Sequence, residues 1–235
     1  MVFEWFRFLF NPELLNQYGP KLIDGLIVTF ELVSISYFIG FLLGMLLALA
    51  RLANNKPLQY LARAYIYFFR GSPLLAQLFL FYYGLGSMSD FWQHAGLWWF
   101  FQNAWYCCLF IFSLNSAAYQ AEIFRGSLLS VATGQREASK VLGLNNFVTF
   151  FKVILPQAAV MALRPLGNEF ILLIKSSAIT SLVTVYDLMG VAKLIYSRTF
   201  DFQVYMWVAI IYLFIVELIH CFIVFAEHRL TRYLR

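Results

Sequence analysis

Apolar residues run along this chain in blocks long enough to cross a bilayer, separated by short polar connections. A spanning helix needs about 20 mostly apolar residues. Five segments meet that length: 22–52, 58–85, 99–127, 157–177 and 202–225. The first carries Glu31 and Ser34 near its start, and the third is long enough that its last turns stand outside the hydrocarbon. The second is interrupted by Gly71-Ser72-Pro73. A residue before proline avoids α geometry, so this span kinks or restarts there. The aromatic stretch 1–20 precedes the first block and reads as an external interfacial segment, with Asn11-Pro12-Glu13 as a helix start. Nothing in it has the layout of a cleaved secretory signal. No internal repeat is visible, and the expectation is a single transmembrane domain over 1–235.

Composition agrees with the pattern. The chain is 62% hydrophobic and 12% charged, against about a quarter charged in soluble domains. The fold class expected is all-α integral membrane. The net charge of +5 matters for where it falls. Arg51, Lys56 and Arg63 flank one connection, and Arg125, Arg136, Lys140, Lys152 and Arg164 surround another. Arg229, Arg232 and Arg235 crowd the C-terminus, so these three groups hold 11 of the 17 basic residues. Such alternation follows the positive-inside rule, so this distribution speaks for topology and not for nucleic acid. With five spans it makes the C-terminus cytoplasmic and the N-terminus external. The external connections are then 86–98 and 178–201. Trp92, Trp98, Trp99 and Trp105 gather at the first of these, as an interfacial belt does. Cys107, Cys108 and Cys221 lie in apolar runs and read as packing residues.

One connection differs from the rest. It reads Gln135-Arg136-Glu137-Ala138-Ser139-Lys140-Val141-Leu142-Gly143 and continues to Val153-Ile154-Leu155-Pro156, the pattern E-A-S-x3-G-x9-V-x-L-P. Glu137 to Leu142 makes barely two helical turns. Gly143 tolerates positive φ and permits a sharp exit, and Pro156 suits the first turn of the next helix. The result is a short polar helix tied between two spans.

This loop resembles the "EAA" loop of ABC importer permeases, with Ser139 for the usual second alanine and Val153 for the usual isoleucine. Three further pieces are similar to polar amino acid permeases and stand in the same order. They are Phe69-Arg70-Gly71-Ser72-Pro73-Leu74-Leu75-Ala76-Gln77, then Ala117-Ala118-Tyr119-Gln120-Ala121-Glu122-Ile123-Phe124-Arg125-Gly126, then Gly167-Asn168-Glu169-Phe170 followed by Lys175-Ser176-Ser177-Ala178. The resemblance runs from Phe69 to Ala178; outside it only the hydrophobic pattern matches. It implies a type I ABC importer permease of the bacterial inner membrane, with about five spans, working as a homo- or heterodimer. The implied partners are two ABC ATPase subunits, a second permease subunit, a periplasmic binding protein and membrane lipid. ATP and Mg would be bound by the ATPase; no G-x-x-x-x-G-K-[ST] loop occurs in this chain. The residues 131–156 would form the ATPase-coupling loop, through Glu137, Ala138, Ser139, Gly143, Leu155 and Pro156.

Polar residues within the spans are the substrate-pathway candidates, because intramembrane charge is expensive and usually marks a pathway or an ion pair. Asn115, Tyr119 and Glu122 form an i, i+4, i+7 stripe on the third span. Asn168 and Glu169 lie on the fourth, Glu169 roughly 18 Å beyond Gln157 at about 1.5 Å per residue. Ser176 and Ser177 follow Lys175 near its end. An amino acid needs donors for its carboxylate and acceptors for its ammonium, and this set contains both. Competing readings are a Glu122–Arg125 surface pair, a snorkelling Lys175, and a structural or subunit contact for Asn168 and Glu169. Ile195-Tyr196-Ser197-Arg198-Thr199-Phe200-Asp201 is similar to an external segment of permeases for arginine and related basic amino acids. Arginine, histidine, lysine and opine-type substrates stay open. No catalytic constellation or metal-ligand spacing is present in the sequence. The alternatives are a membrane-embedded enzyme using Glu122, Glu169 or His220, and a carrier or channel acting alone.

Overall fold

The computed structural model describes residues 12–231. The expected interfacial segment therefore falls largely outside the described residues, as do Arg232 and Arg235. Residues 12–20 are not a separate element: α1 starts at Pro12 and runs unbroken to Leu52. Proline at a helix start forfeits only an N–H that has no intrahelical partner. Among the described residues, four helical stretches are long and apolar enough to cross a membrane, namely Pro12–Leu52, Ala104–Ser130, Asn146–Leu182 and Gln203–Leu230.

The expected second span is two helices. α2 (Lys56–Gly71) is capped by the Asn55 side chain and ends at Ser72, whose backbone is extended. Ser72 sits before Pro73, where α geometry is disfavoured, and its hydroxyl donates to Phe68 O at 2.7 Å. The chain restarts as α3 (Leu74–Phe79), which passes into wider i→i+5 turns over Leu80–Leu85. Short helices α4 (Ser89–His94) and α5 (Trp98–Phe101) occupy the next connection. There Trp92 stacks on Phe101 at 4.0 Å and donates its indole N–H to Leu85 O, so it is a packing anchor. Trp99 stays exposed. α6 (Ala104–Ser130), α7 (Thr133–Val141) and α8 (Asn146–Val148) follow. Wide turns over Thr149–Ile154 then lead into α9 (Leu155–Ser177), α10 (Leu188–Thr199) and α11 (Gln203–Thr231).

The described residues divide into two compact units: 12–36, 73–112 and 172–217 in one, 37–72, 113–171 and 218–231 in the other. In the first unit, the segment expected to be an external connection is occupied by α10. Its apolar positions Leu188, Val191, Ala192 and Ile195 recur at helical spacing and pack with Tyr18 and Leu22 of α1 and Val204, Trp207 and Val208 of α11. The start of α10 is held twice. Asp187 Oδ1 accepts from Gly190 N at 2.8 Å, and Thr29 Oγ1 of α1 accepts from Leu188 N at 3.0 Å. Cys107 and Cys108 are buried as expected, whereas Cys221 is exposed on α11.

Burial raises the Asp187 carboxyl from 3.8 to about 6, against the lowering effect of the Gly190 and Met189 amides, the Lys193 charge and Thr180. The folded state therefore keeps a proton that the unfolded chain has lost. The associated stability is complete below pH 3.8 and is lost as pH rises through about 6. Asp187→Asn keeps the cap and removes the titration. In thermal denaturation its melting temperature should exceed the parent's above pH 7 and converge with it in acid; parallel curves at all pH values would refute this.

In the second unit, α1 and α6 approach through small residues. A Cβ on Gly40 would lie 3.0 Å from Ser116 Cβ, and one on Gly44 would lie 3.0 Å from both Ala117 O and Gln120 Cβ. This is the close small-xxx-small contact that membrane helices use when no hydrophobic force separates lipid from protein. Gly44→Val should destabilise the protein by about 1–3 kcal/mol, the usual cost of overpacking. A lowered melting temperature in detergent is the expected result, and an unchanged one would place the contact elsewhere.

Candidate functional site: a polar seam and an exposed loop

The polar residues of α6 in the second unit are joined to α1, α2 and α9. Asn115 Nδ2 donates to Phe69 O of α2 at 3.0 Å. One turn on, Tyr119 lies under the Arg70 guanidinium, 5.2 Å from its ring centre. At the next turn Glu122 is shared: Arg51 of α1 reaches Oε1 at 2.6 Å, and Arg125 reaches Oε2 at 2.7 Å. The i, i+3 pair expected from spacing is thus half of a bridge, and spacing had no means of finding Arg51. Side-chain exposures of 15% and 17% for Arg51 and Glu122 put this pair in poor contact with water. It is therefore worth more than a surface pair such as Arg164–Glu227, in which Arg164 is 64% exposed.

A second chain of contacts runs beside the first. Gln120 Nε2 donates to Tyr37 O at 3.1 Å and to Ser116 Oγ at 2.9 Å, and Ser116 Oγ donates to Glu169 Oε1 at 3.3 Å. Tyr37 in turn donates to Leu166 O of α9 at 3.0 Å. Glu169 is buried at 6% exposure, inside protein and not toward lipid. Its neighbour Asn168 is exposed, as is Lys175. Ser176 is half-buried and Ser177 is buried, its hydroxyl spent on Ile174 O at 2.8 Å; both belong to the first unit. Ser116, Gln120 and Tyr37 were missed by sequence reasoning. The signal for two of them was present, since Ser116 and Gln120 stand four apart in an apolar helix.

The loop after α6 is built for exposure. Glu137 and Ala138 face out on α7, while Ser139 turns inward and donates to Gln135 O at 2.8 Å. Gly143 has φ +70°. Its N–H bonds Lys140 O and Leu144 N–H bonds Ser139 O, each at 3.0 Å, which is the Schellman closure of a helix. Apolar residues beside the turn are left in the open: Val141 is 88% exposed, Leu142 74% and Phe147 70%. Leu155 and Pro156 are also exposed. Pro156 departs from expectation. The helical run begins at Asn146, capped by Asn145 Oδ1, so Pro156 lies ten residues inside it and not at its start. The missing N–H is accommodated by the wide turns over Thr149–Ile154, and the Gln157 side chain donates to Val153 O at 2.9 Å.

Residues 40–232 match the family described as the binding-protein-dependent transport system inner membrane component. The chain belongs to this family. It is 37% identical to the nopaline transport system permease protein of Agrobacterium fabrum, over 95% of this chain and 93% of that one. It is 34% identical to an arginine ABC transporter permease of Haemophilus influenzae, over 80% and 82%. An L-cystine transport system permease of Bacillus subtilis is 33% identical over 95% and 92%. The crystal structure of an amino acid ABC transporter with histidines superposes with a TM-score of 0.82 at 35% identity, covering 92% of this chain and 96% of that one. The chain is a multi-pass inner-membrane permease subunit of an amino acid ABC importer, with the type I fold. It is not an enzyme; the ATPase is a separate subunit.

Glu122→Gln would leave Arg51 with a neutral partner. Losing a charge-assisted hydrogen bond costs about 1.5–3 kcal/mol. Thermal denaturation should show that loss, and a shift within error would mean that water already screens the bridge.

Proposed function

We propose that this subunit takes a polar, basic amino acid from a periplasmic binding protein and passes it to the cytoplasm. ATP and Mg2+ act on partner ATPases, and this chain works beside a second permease subunit. The carrying observation is the loop around α7. A helix with Glu137 and Ala138 outward and Val141, Leu142 and Phe147 bare of cover is a surface awaiting a protein. The ATPase is the partner with reason to occupy it. The coupling residues are then Glu137, Ala138, Ser139, Gly143, Leu155 and Pro156. Of these, Ser139 and Gly143 shape the loop and the others present its surface.

The basic cargo is supported by relatives named for nopaline and arginine. The relative named for L-cystine supports a zwitterionic cargo instead. Asn115, Tyr119, Glu122, Asn168, Glu169, Ser176 and Ser177 remain the pathway candidates of this reading. The orientation proposed is N-terminus external and C-terminus cytoplasmic, from the basic residues in alternate connections. The test of cargo is stimulated ATP hydrolysis by the reconstituted complex, with its binding protein, against each standard amino acid. Arginine, lysine or histidine should give the strongest response; a response to cystine alone would overturn the basic assignment.

Two further outcomes check the arrangement. A side chain at the +70° position of Gly143 is strained by roughly 1–2 kcal/mol. Gly143→Val should therefore leave the chain in the membrane but weaken ATPase recruitment or abolish stimulated hydrolysis, and normal docking and transport would sink the coupling role. Single cysteines placed at Pro12 and Arg235 should label from opposite sides of the membrane. Labelling from one side would mean that a crossing is miscounted.

A further inference from the structure

A cavity of about 630 Å3 opens between α9 and α11 in the second unit. Its wall is of two kinds. Cys221, Val224 and Phe225 make one part apolar, while Arg164, His220 and His228 bring guanidinium and ring nitrogens to the other. The two helices meet beside it, where Gly167 of α9 lies against Ile223 of α11 too closely for a Cβ. One turn further along α11, Glu227 Oε2 accepts from both Nε and Nη2 of Arg164, at 3.0 and 2.7 Å. The Arg164 side chain is still 64% exposed. Arg229 lies over the Phe225 ring, 5.3 Å from its centre. An aromatic face holds a guanidinium in place while leaving its N–H edge open. Among the described residues at the cavity and its rim, two guanidinium groups thus stand beside one carboxylate. Phe225 also belongs to an apolar stripe on α11. Leu218, Phe222 and Phe225 are all exposed at i, i+4 and i+7, and Arg229 is next in the series. The stripe is roughly 10 Å long at about 1.5 Å per residue, against about 15 Å for one leaflet of a hydrocarbon core about 30 Å thick.

We propose that this cavity binds the headgroup phosphate of an acidic phospholipid, with Arg164 and Arg229 as its charged contacts and the stripe from Leu218 to Phe225 carrying an acyl chain. The occupant follows from two chemistries in one place. A soluble anion would match the guanidinium groups and leave the stripe bare. A lipid without net charge would cover the stripe and leave the excess positive charge unmatched. A guanidinium meets a phosphate through parallel N–H bonds, and basic pockets between membrane helices on the cytoplasmic side are suited to anionic headgroups. The sequence puts the boundary of the hydrocarbon at the same place, since Phe222 to Ala226 is followed by Glu227, His228 and Arg229. The site rests on the proposed orientation only for its leaflet. It depends neither on the cargo nor on the coupling loop.

The test uses a reporter already in the wall. Cys221 is exposed, whereas Cys107 and Cys108 are buried. The assembled permease–ATPase complex is exchanged into lipid-free detergent, and the rate of maleimide labelling is read at Cys221 by peptide mass spectrometry. Phosphatidylglycerol, phosphatidylcholine and inorganic phosphate are titrated separately. Phosphatidylglycerol should slow labelling at a concentration about 25-fold below that of phosphatidylcholine, roughly fivefold for each guanidinium. Arg164→Gln should remove about fivefold of that preference, and Arg164→Lys should keep most of it. Arg229→Gln should remove a similar share, and it supplies the reading if Arg164→Gln does not assemble. Equal protection by the two lipids, or a preference that survives both glutamine variants, overturns the site. Protection by inorganic phosphate at the same concentration as phosphatidylglycerol assigns the cavity to a free anion and overturns the lipid. Cys221 that is unreactive in the lipid-free complex but reactive in the separated subunit would show that a partner protein covers this face, and would overturn the proposal as well.

Discussion

A polar group on an apolar helix has no water to satisfy it, and that constraint organises the second unit. Each partner must come from the chain itself, because an unmatched buried group costs about 1–3 kcal/mol. α6 meets most of the demand by facing its polar side to its neighbours, with Gln120 Oε1 left without a partner. Asn115, Ser116, Tyr119, Gln120 and Glu122 occupy two adjoining strips, and each has a contact on α1, α2 or α9 or leads to one. Small residues do the complementary work. Gly40 and Gly44 let the α1 backbone come close enough for Gln120 to reach Tyr37 O. A larger side chain at either glycine would push away the acceptor as well as the helix.

Two prolines show how strongly local context decides a helix. Pro73 ends one and begins another because Ser72 is held extended and closes α2 with its own hydroxyl. Pro156 sits within a continuous helical run because the turns before it widen to i→i+5 spacing. Both residues lack the same N–H and impose the same restriction upstream. The difference lies in the preceding residues. Asn145 caps a new helix early enough that Pro156 meets an established one, whereas Ser72 follows Gly71 at the end of a helix already finished.

Hydropathy made the long helices legible, since length and apolar character are properties of a segment alone. The breaks at Ser72-Pro73 and Gly143 were legible for the same reason, being set by local backbone chemistry. α10 has a local signal, Asp187 at its cap and the helical spacing of Leu188, Val191, Ala192 and Ile195, but it is too short to span and so does not stand out by hydropathy from a connection. The seam was legible as a set of polar residues and not as a set of bonds. Spacing pairs Glu122 with Arg125 on one helix. It cannot pair Glu122 with Arg51, 71 residues away, or Glu169 with Ser116, 53 away. Those partners are set by packing, and packing depends on glycines whose meaning appears only when the opposite helix is present.

The same contacts bear on how a force at α7 would spread. α7 is joined to the end of α6 by residues 131–132 and by Arg136, whose guanidinium donates to Leu128 O at 3.4 Å. On its other side the Gly143 turn leads to a helical run that begins at Asn146 and continues through α9. Leu128, Val131, Ile154 and Ala158 form one buried cluster, so the end of α6 and the beginning of α9 are packed together near the loop. A partner pressing on α7 would therefore move both helices as a pair. Between the loop and α9 lies the stretch of wide turns over Thr149–Ile154, where hydrogen bonding departs from the α ladder. Beyond it α9 carries Glu169 and α6 carries Glu122, each already bonded to a side chain on another part of the unit. Displacement of the pair would strain those bonds before it strained the apolar packing, because hydrogen bonds and ion pairs weaken steeply with distance and angle. A force entering at the loop would therefore reach the polar seam through side chains that are bonded to other helices of the unit.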